Sequence, residues 1–135
     1  MAGYSGTPLV KKLGIKAGFK VKTKNAPENY LELLDTLPEG VSVKTTFHKD
    51  VDLWHLFVMS QRELNAQLPT AMKQIKPNGM IWVSWPKKAS GIKTNMLEDS
   101  IREAAFPLGL VDVKVCAVDA TWSGLKLVIR KENRR

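Results

Sequence analysis

Gly79-Met80-Ile81-Trp82-Val83-Ser84-Trp85-Pro86-Lys87-Lys88-Ala89-Ser90-Gly91 is the stretch on which the fold turns. From Met80 to Trp85 the residues are nearly all apolar, with no polar alternation. A strand tolerates this when both of its faces are covered, as at the centre of a parallel α/β sheet. Pro86 stops the run, because proline has no N–H for a ladder hydrogen bond. Two lysines, a serine and a glycine follow. Ligands in open α/β sheets bind just beyond the carboxyl ends of the central strands. A site is therefore expected here, and its charge favours an anion.

Leu53 to Met59 is a second run apolar on both faces, and these two strands are expected side by side at the centre of the sheet. Between them Ser60 can cap a helix from Gln61 to about Ile75, with Leu64, Leu68, Met72 and Ile75 on its core face. Pro69 should kink or interrupt that helix, and Lys76-Pro77-Asn78-Gly79 reads as a turn. Upstream, Phe19 to Lys24 alternates, with Phe19, Val21 and Thr23 on one face and Lys20, Lys22 and Lys24 on the other. Asn25-Ala26-Pro27 is a turn, and Tyr30, Leu31, Leu33, Leu34 and Leu37 form the apolar side of a helix broken at Pro38-Glu39-Gly40. Val41 to Lys44, or as far as Phe47, is a second alternating strand. Thr7-Pro8 suits the start of a short first helix ending at Gly14.

Downstream, Asn95 can cap a helix with Glu98 three residues on, and Met96, Leu97, Ile101, Ala104 and Ala105 form its buried stripe. Leu110 to Val118 and Trp122 to Arg130 are strands joined by Asp119-Ala120-Thr121. That link is too short for a parallel crossover, so they pair antiparallel. Strands alternating with helices predict an α/β fold with a mostly parallel sheet between helices and a C-terminal antiparallel hairpin. With 135 residues the chain is read as one domain over 1–135, with residues 1–6 and 132–135 expected to be mobile.

No apolar stretch approaches a membrane span, and Met1 to Pro8 has no apolar signal region. Cys116 is the only cysteine, which fits a reducing compartment, and a cytoplasmic location is expected. It sits in Val115-Cys116-Ala117-Val118 and reads as a small core residue. The formal net charge is +8, which permits nucleic acid or an acidic protein as a partner.

Three segments resemble parts of the Rossmann-like methyltransferase fold: Lys76 to Val83, Asp52 to Leu56, and Gly109 to Val113 with the final hairpin through Lys131. Tyr4-Ser5-Gly6-Thr7-Pro8-Leu9, Val83 to Gly91 and Trp122-Ser123-Gly124-Leu125-Lys126 resemble an uncharacterised bacterial family of small proteins with no assigned reaction. The resemblance implies a Rossmann-like three-layer sandwich. Methyltransferases have a glycine-rich turn after the first strand, where this chain has Asn25-Ala26-Pro27-Glu28. They have an acid for the ribose hydroxyls after the second, where this chain has Thr45-Thr46-Phe47-His48-Lys49. A helix, strand and helix are also missing before the third strand. No S-adenosylmethionine and no other cofactor is expected.

The candidate ligand residues are Asn25, Ser84, Trp85, Lys87, Lys88 and Ser90, and the candidate basic face is Lys20, Lys22, Lys24 and Lys44. Ammonium groups, hydroxyls and backbone N–H groups can hold a phosphate or carboxylate, and Trp85 could stack on a ring. The structural counterpart is an ordinary strand-to-helix loop with Trp85 in the core. His48-x-Asp50-x-Asp52-x-x-His55 has metal-capable side chains. Period two puts His55 on the opposite face from Asp50 and Asp52, so no metal is expected and His55 reads as a hydrogen-bonded core histidine. No serine sits in a nucleophile elbow and no carboxylate pair calls for acid–base chemistry. The reading is a non-catalytic Rossmann-like module binding an anionic small molecule or partner. The alternatives are a degenerate S-adenosylmethionine-dependent methyltransferase and a basic nucleic-acid-binding protein.

Overall fold

The computed structural model describes residues 7–134. Residues 1–6, with the Tyr4-Ser5-Gly6 segment, and Arg135 lie outside the described residues. In chain order the elements are α1 (Leu9–Leu13), β1 (Lys20–Lys24), α2 (Tyr30–Leu34), β2 (Ser42–Lys44), β3 (Val51–Phe57), α3 (Gln61–Gln74), β4 (Ile75–Pro86), α4 (Glu98–Ala105), β5 (Leu110–Ala117) and β6 (Trp122–Ile129). Short 3-10 turns occupy Lys88–Ser90, Phe106–Leu108 and Lys131–Asn133. After the last of these, Arg134 Nε donates to the Ile129 carbonyl.

The sheet order is β2-β1-β3-β4-β6-β5. The first four strands pair in parallel, and β4–β6 and β6–β5 are antiparallel. The result is the expected α/β Rossmann-like sandwich, with β3 and β4 at the centre. Leu9, Leu13, Tyr30 and Leu34 from α1 and α2 cover one face, against Leu53, Phe57 and Trp82. Leu64, Leu68, Ile101 and Ala105 from α3 and α4 cover the other, against Trp54, Leu56, Ile81 and Val83. Trp82 and Leu56 are fully buried. Burying each large side chain of this kind contributes roughly 1.5–3 kcal/mol.

Local reading missed some boundaries. α2 spans only five residues, because Asp35 turns the chain at φ 62. Tyr30 and Leu34, one turn apart, point inward, while Leu31 is exposed. α3 runs unbroken through Pro69. Asn65, whose carbonyl loses its N–H donor there, is an exposed residue, so water can replace the bond. Residues 76–79, expected as a turn, belong to β4 as an irregular segment between the Val51–Ile75 and Leu53–Met80 pairs. Asn95 caps a different helix from the one expected. Its Oδ1 accepts from Gln61 N, at the start of α3, beside the Ser60 hydroxyl that accepts from Glu63 N. α4 begins at Glu98, which leaves Leu97 outside the helix and exposed.

The step from β2 to β3 is the unusual connection. β2 and β3 lie on either side of β1, and parallel strands of one sheet are ordinarily joined by a dozen residues or more. Here residues 45–50, with no helix, carry the chain back along the sheet. Six extended residues reach about 20 Å, enough to return past a three-residue strand of about 10 Å while crossing β1, a lateral step of about 9.5 Å. Phe47 anchors this strap by packing on the α3–α4 side of the core.

The α1–α2 side also holds a buried polar relay. The Tyr30 hydroxyl lies 2.7 Å from His55 Nδ1, and His55 Nε2 lies 2.8 Å from Ser84 Oγ. Phe57 stacks on the imidazole at 4.3 Å between ring centroids. In the neutral ring one nitrogen donates and the other accepts, so both hydroxyls are matched. Burial pushes the His55 pKa down to about 3 and raises that of Tyr30.

Two outcomes follow. In the unfolded chain His55 binds a proton near pH 6.5, whereas the folded protein does not until about pH 3. The unfolded state binds more protons in that window, so stability falls as pH drops from 6.5 towards 3. The slope attributable to this group is at most about 1.4 kcal/mol per pH unit. His55→Gln should be less stable at pH 7 in urea melts and should lose this component of the slope. Separately, a Cβ at Gly79 would lie 3.0 Å from the Lys76 and Val51 carbonyl oxygens. Backbone cannot swing aside, so Gly79→Ala should cost about 1–3 kcal/mol in the same assay.

Candidate functional site

Beyond the carboxyl end of β4 lies a cleft of about 480 Å³. Its walls are Trp85 to Lys88 on one side and Gly91 to Thr94 with the approach to α4 on the other, and Ser123 closes it from β6. The walls meet because Pro86 stops the strand and Gly91, at φ 78, reverses the chain. Lys87 N donates to the Thr121 carbonyl, tying the loop to the hairpin. Thr94 Oγ1 donates to the Met59 carbonyl and fixes the far wall.

Lys87, Lys88 and Lys93 bring three ammonium groups to this cleft, against one carboxylate, Glu98. Arg102 engages that carboxylate, and it also holds Asp99 and Asp112. The Arg102 hydrogen bond keeps the Asp112 carboxyl below its usual range, and these carboxylates together raise the guanidinium. Trp54 donates its indole N–H to Gln74 and Trp82 donates to the Leu13 carbonyl. Trp85 has no such acceptor among the described residues, and its N–H is not sealed from solvent.

Of the six residues expected to hold a ligand, the structure brings Trp85, Lys87 and Lys88 together at this cleft. Trp85 is only 8% exposed and packs within the α3–α4 core. That burial leaves little of its ring for the expected stacking. Ser84 is fully buried and its hydroxyl is taken by His55, because alternation turns it to the opposite face of β4. Ser90 Oγ donates to the Lys87 carbonyl at 2.6 Å and accepts from Ile92 N, so it holds the turn rather than lining the cleft. Asn25 is elsewhere, at the end of β1, with Nδ2 3.5 Å from the Phe57 carbonyl. The sequence reading missed Lys93 and Ser123. Lys93 lies beyond the Gly91 reversal, and Ser123 is brought in by pairing with Trp85.

The lysines of the expected basic face do share one side of β1 and β2. Lys20 Nζ donates to the Lys49 carbonyl and lies 4.9 Å from the centre of the Phe47 ring. Lys44 Nζ lies 5.5 Å from the same ring. Lys22 Nζ donates to Gln74 Oε1 and sits over Trp54, and burial followed by Lys24 lowers its pKa. Lys24 and Lys44 are exposed. The metal-capable run does not converge: Asp52 bonds Lys76 and the Lys20 N–H, while His55 is in the relay. Among the described residues no group of three such side chains could hold a metal ion.

A second cleft of similar volume lies near the start of β4, lined by Lys49, Pro69, Met72, Lys76, Leu108 and Arg134. Lys76 is paired with Asp52 and Arg134 with the Ile129 carbonyl. Lys49 and Lys73 there have no side-chain partner among the described residues, so what singles out the strand-end cleft is its place at the end of the sheet where α/β folds bind ligands.

A family profile described as a protein of unknown function (DUF3052) matches residues 43–131. No functionally curated protein matches the chain. Solved structures are similar in fold at low identity. One is a provisionally assigned type 11 methyltransferase from Sulfolobus solfataricus, 15% identical with a TM-score of 0.64, covering 94% of this chain and 92% of that one. Another, in the NADB-Rossmann superfamily from Streptococcus agalactiae, is 10% identical with a TM-score of 0.58, covering 94% and 70%. TrmN from Thermus thermophilus is 11% identical with a TM-score of 0.57, and the match spans 90% of this chain but 47% of that one. No helix among the described residues is long and apolar enough to cross a membrane. By its match over most of its length, this chain belongs to the DUF3052 family of proteins of unknown function, built on a Rossmann methyltransferase-like fold.

Proposed function

We propose that the chain is a non-catalytic Rossmann-like module that takes an anionic ligand in the cleft beyond β4. The supporting observation is the charge there: three lysines face a single carboxylate that Arg102 already engages. The open indole N–H of Trp85 adds a donor, and the carboxyl end of a central strand is the usual ligand position. An ammonium ion is a mobile point charge, suited to phosphate without demanding a fork geometry.

S-adenosylmethionine fits these residues poorly. Asn25 adopts φ 61, so the tight turn survives without glycine, which asparagine allows at modest cost. Its amide, however, reaches towards the Phe57 carbonyl across the β1–β3 switch point, where a Rossmann fold would seat its nucleotide. The end of β2 offers Thr45 and Thr46, not an acid. No methyl-transfer step is assigned.

Native mass spectrometry of freshly purified protein should reveal a co-purified anion, and pyrophosphate serves as a defined probe in calorimetry. Lys87→Ala with Lys88→Ala should change the melting temperature little, since Lys88 is exposed and half-buried Lys87 has no side-chain partner among the described residues; substitutions at such positions cost about 0.5 kcal/mol. It should weaken pyrophosphate by about tenfold or more, about 1.4 kcal/mol. Equal binding by wild type and double variant would remove the cleft from consideration.

A further inference from the structure

A second group of lysines assembles on the α1 side of the hairpin, away from the face of Lys20, Lys22 and Lys44. Lys114 on β5 and Lys126 on β6 are direct cross-strand partners. Like charges directly opposite one another destabilise a sheet. Lys126 is half-buried beside Trp82, its partner on β4. Burial, then Lys114, then Lys16 lower its pKa. No carboxylate bonds Lys16, Lys87, Lys114 or Lys126 among the described residues.

The group continues towards the strand-end cleft. Lys12 Nζ donates to the Ala117 carbonyl at the end of β5. Lys11, Lys12 and Lys114 line a shallow depression that reaches Cys116. The Cys116 thiol, raised by burial, feels the opposing fields of Lys12, Lys114 and Lys87. Lys87 also lines the cleft beyond β4. The cations therefore run from Lys16 and Lys126, past Lys114 and Lys12, to Lys87.

A fold selected for stability alone would place an acid opposite Lys126. Local rules are broken where function demands it. An extended row of ammonium groups suits a chain of phosphates better than one compact anion. Lysine binds phosphate as a point charge and needs no fork geometry, so spaced ammonium groups can follow successive phosphates of a flexible strand. We propose that Lys12, Lys16, Lys87, Lys114 and Lys126 form a track for the phosphate backbone of a nucleic-acid strand, bound without sequence preference. The track meets the proposed anion cleft only at Lys87, so it stands or falls separately.

The test is fluorescence anisotropy of a labelled, unstructured oligouridylate titrated with the protein at several salt concentrations. Each lost phosphate contact should reduce the slope of log affinity against log salt by about 0.7. Lys114→Gln with Lys126→Gln should therefore lower it by about 1.4. The charge-matched control, Lys73→Gln with Lys131→Gln at exposed positions outside the track, should leave it nearly unchanged. The track variant should melt no lower than wild type, because it relieves repulsion, and should bind pyrophosphate normally. Equal slopes for track variant and control would overturn the track and leave the cleft reading intact. Polyglutamate displacing the oligonucleotide at equal charge concentration would overturn the assignment to phosphate.

Discussion

β3 and β4 lie side by side with both faces shut off from water, and nearly everything else in the molecule follows from that. A strand buried on two sides carries apolar residues at consecutive positions. It then needs a layer of helix above and below, and α1–α2 and α3–α4 supply these layers. Polar groups inside must be matched. The relay of Tyr30, His55 and Ser84 meets this requirement, closing with two hydrogen bonds a gap that a single unmatched imidazole would leave open.

The shortened crossover is the second constraint. A three-residue β2 lets a six-residue strap replace a helical connection, and the strap covers less of the sheet than a helix would. The lysines of β1 can remain on that face because they are not buried in hydrocarbon. Lys20 and Lys44 lie against Phe47, and Lys22 lies between Trp54 and Gln74. Their stems pack on aromatic rings while the ammonium groups find acceptors or water, the usual behaviour of long amphipathic side chains.

Charge is distributed unevenly for a physical reason. Four acidic side chains, Asp52, Glu98, Asp99 and Asp112, are spent on joints: Asp52 binds Lys76, and the other three bind Arg102 at the α4–β5 corner. Among the described residues no carboxylate pairs with Lys87, Lys88 or Lys93 at the carboxyl end of β4, or with Lys16, Lys114 or Lys126 on the α1 side of the hairpin. Both proposed anion sites occupy that remainder. The Rossmann likeness locates the end of the sheet at which to look, and the reading of what binds there comes from this chain's own residues.

The sequence by itself determined the layers. Continuous apolar runs at 53–59 and 80–85, alternation in β1 and a three-residue link before β6 are local patterns, and local patterns fix period, burial and hairpin pairing. Local pattern also located the loop after Pro86, with Lys87 and Lys88. Tertiary structure alone decided the rest, because pairing register joins residues that sequence separates. It turned Ser84 away from the cleft and onto His55, brought Ser123 beside Trp85, moved the Asn95 cap to α3, and set Lys126 against Lys114. Each depends on which strand or helix lies next door, and no window along one strand contains that information.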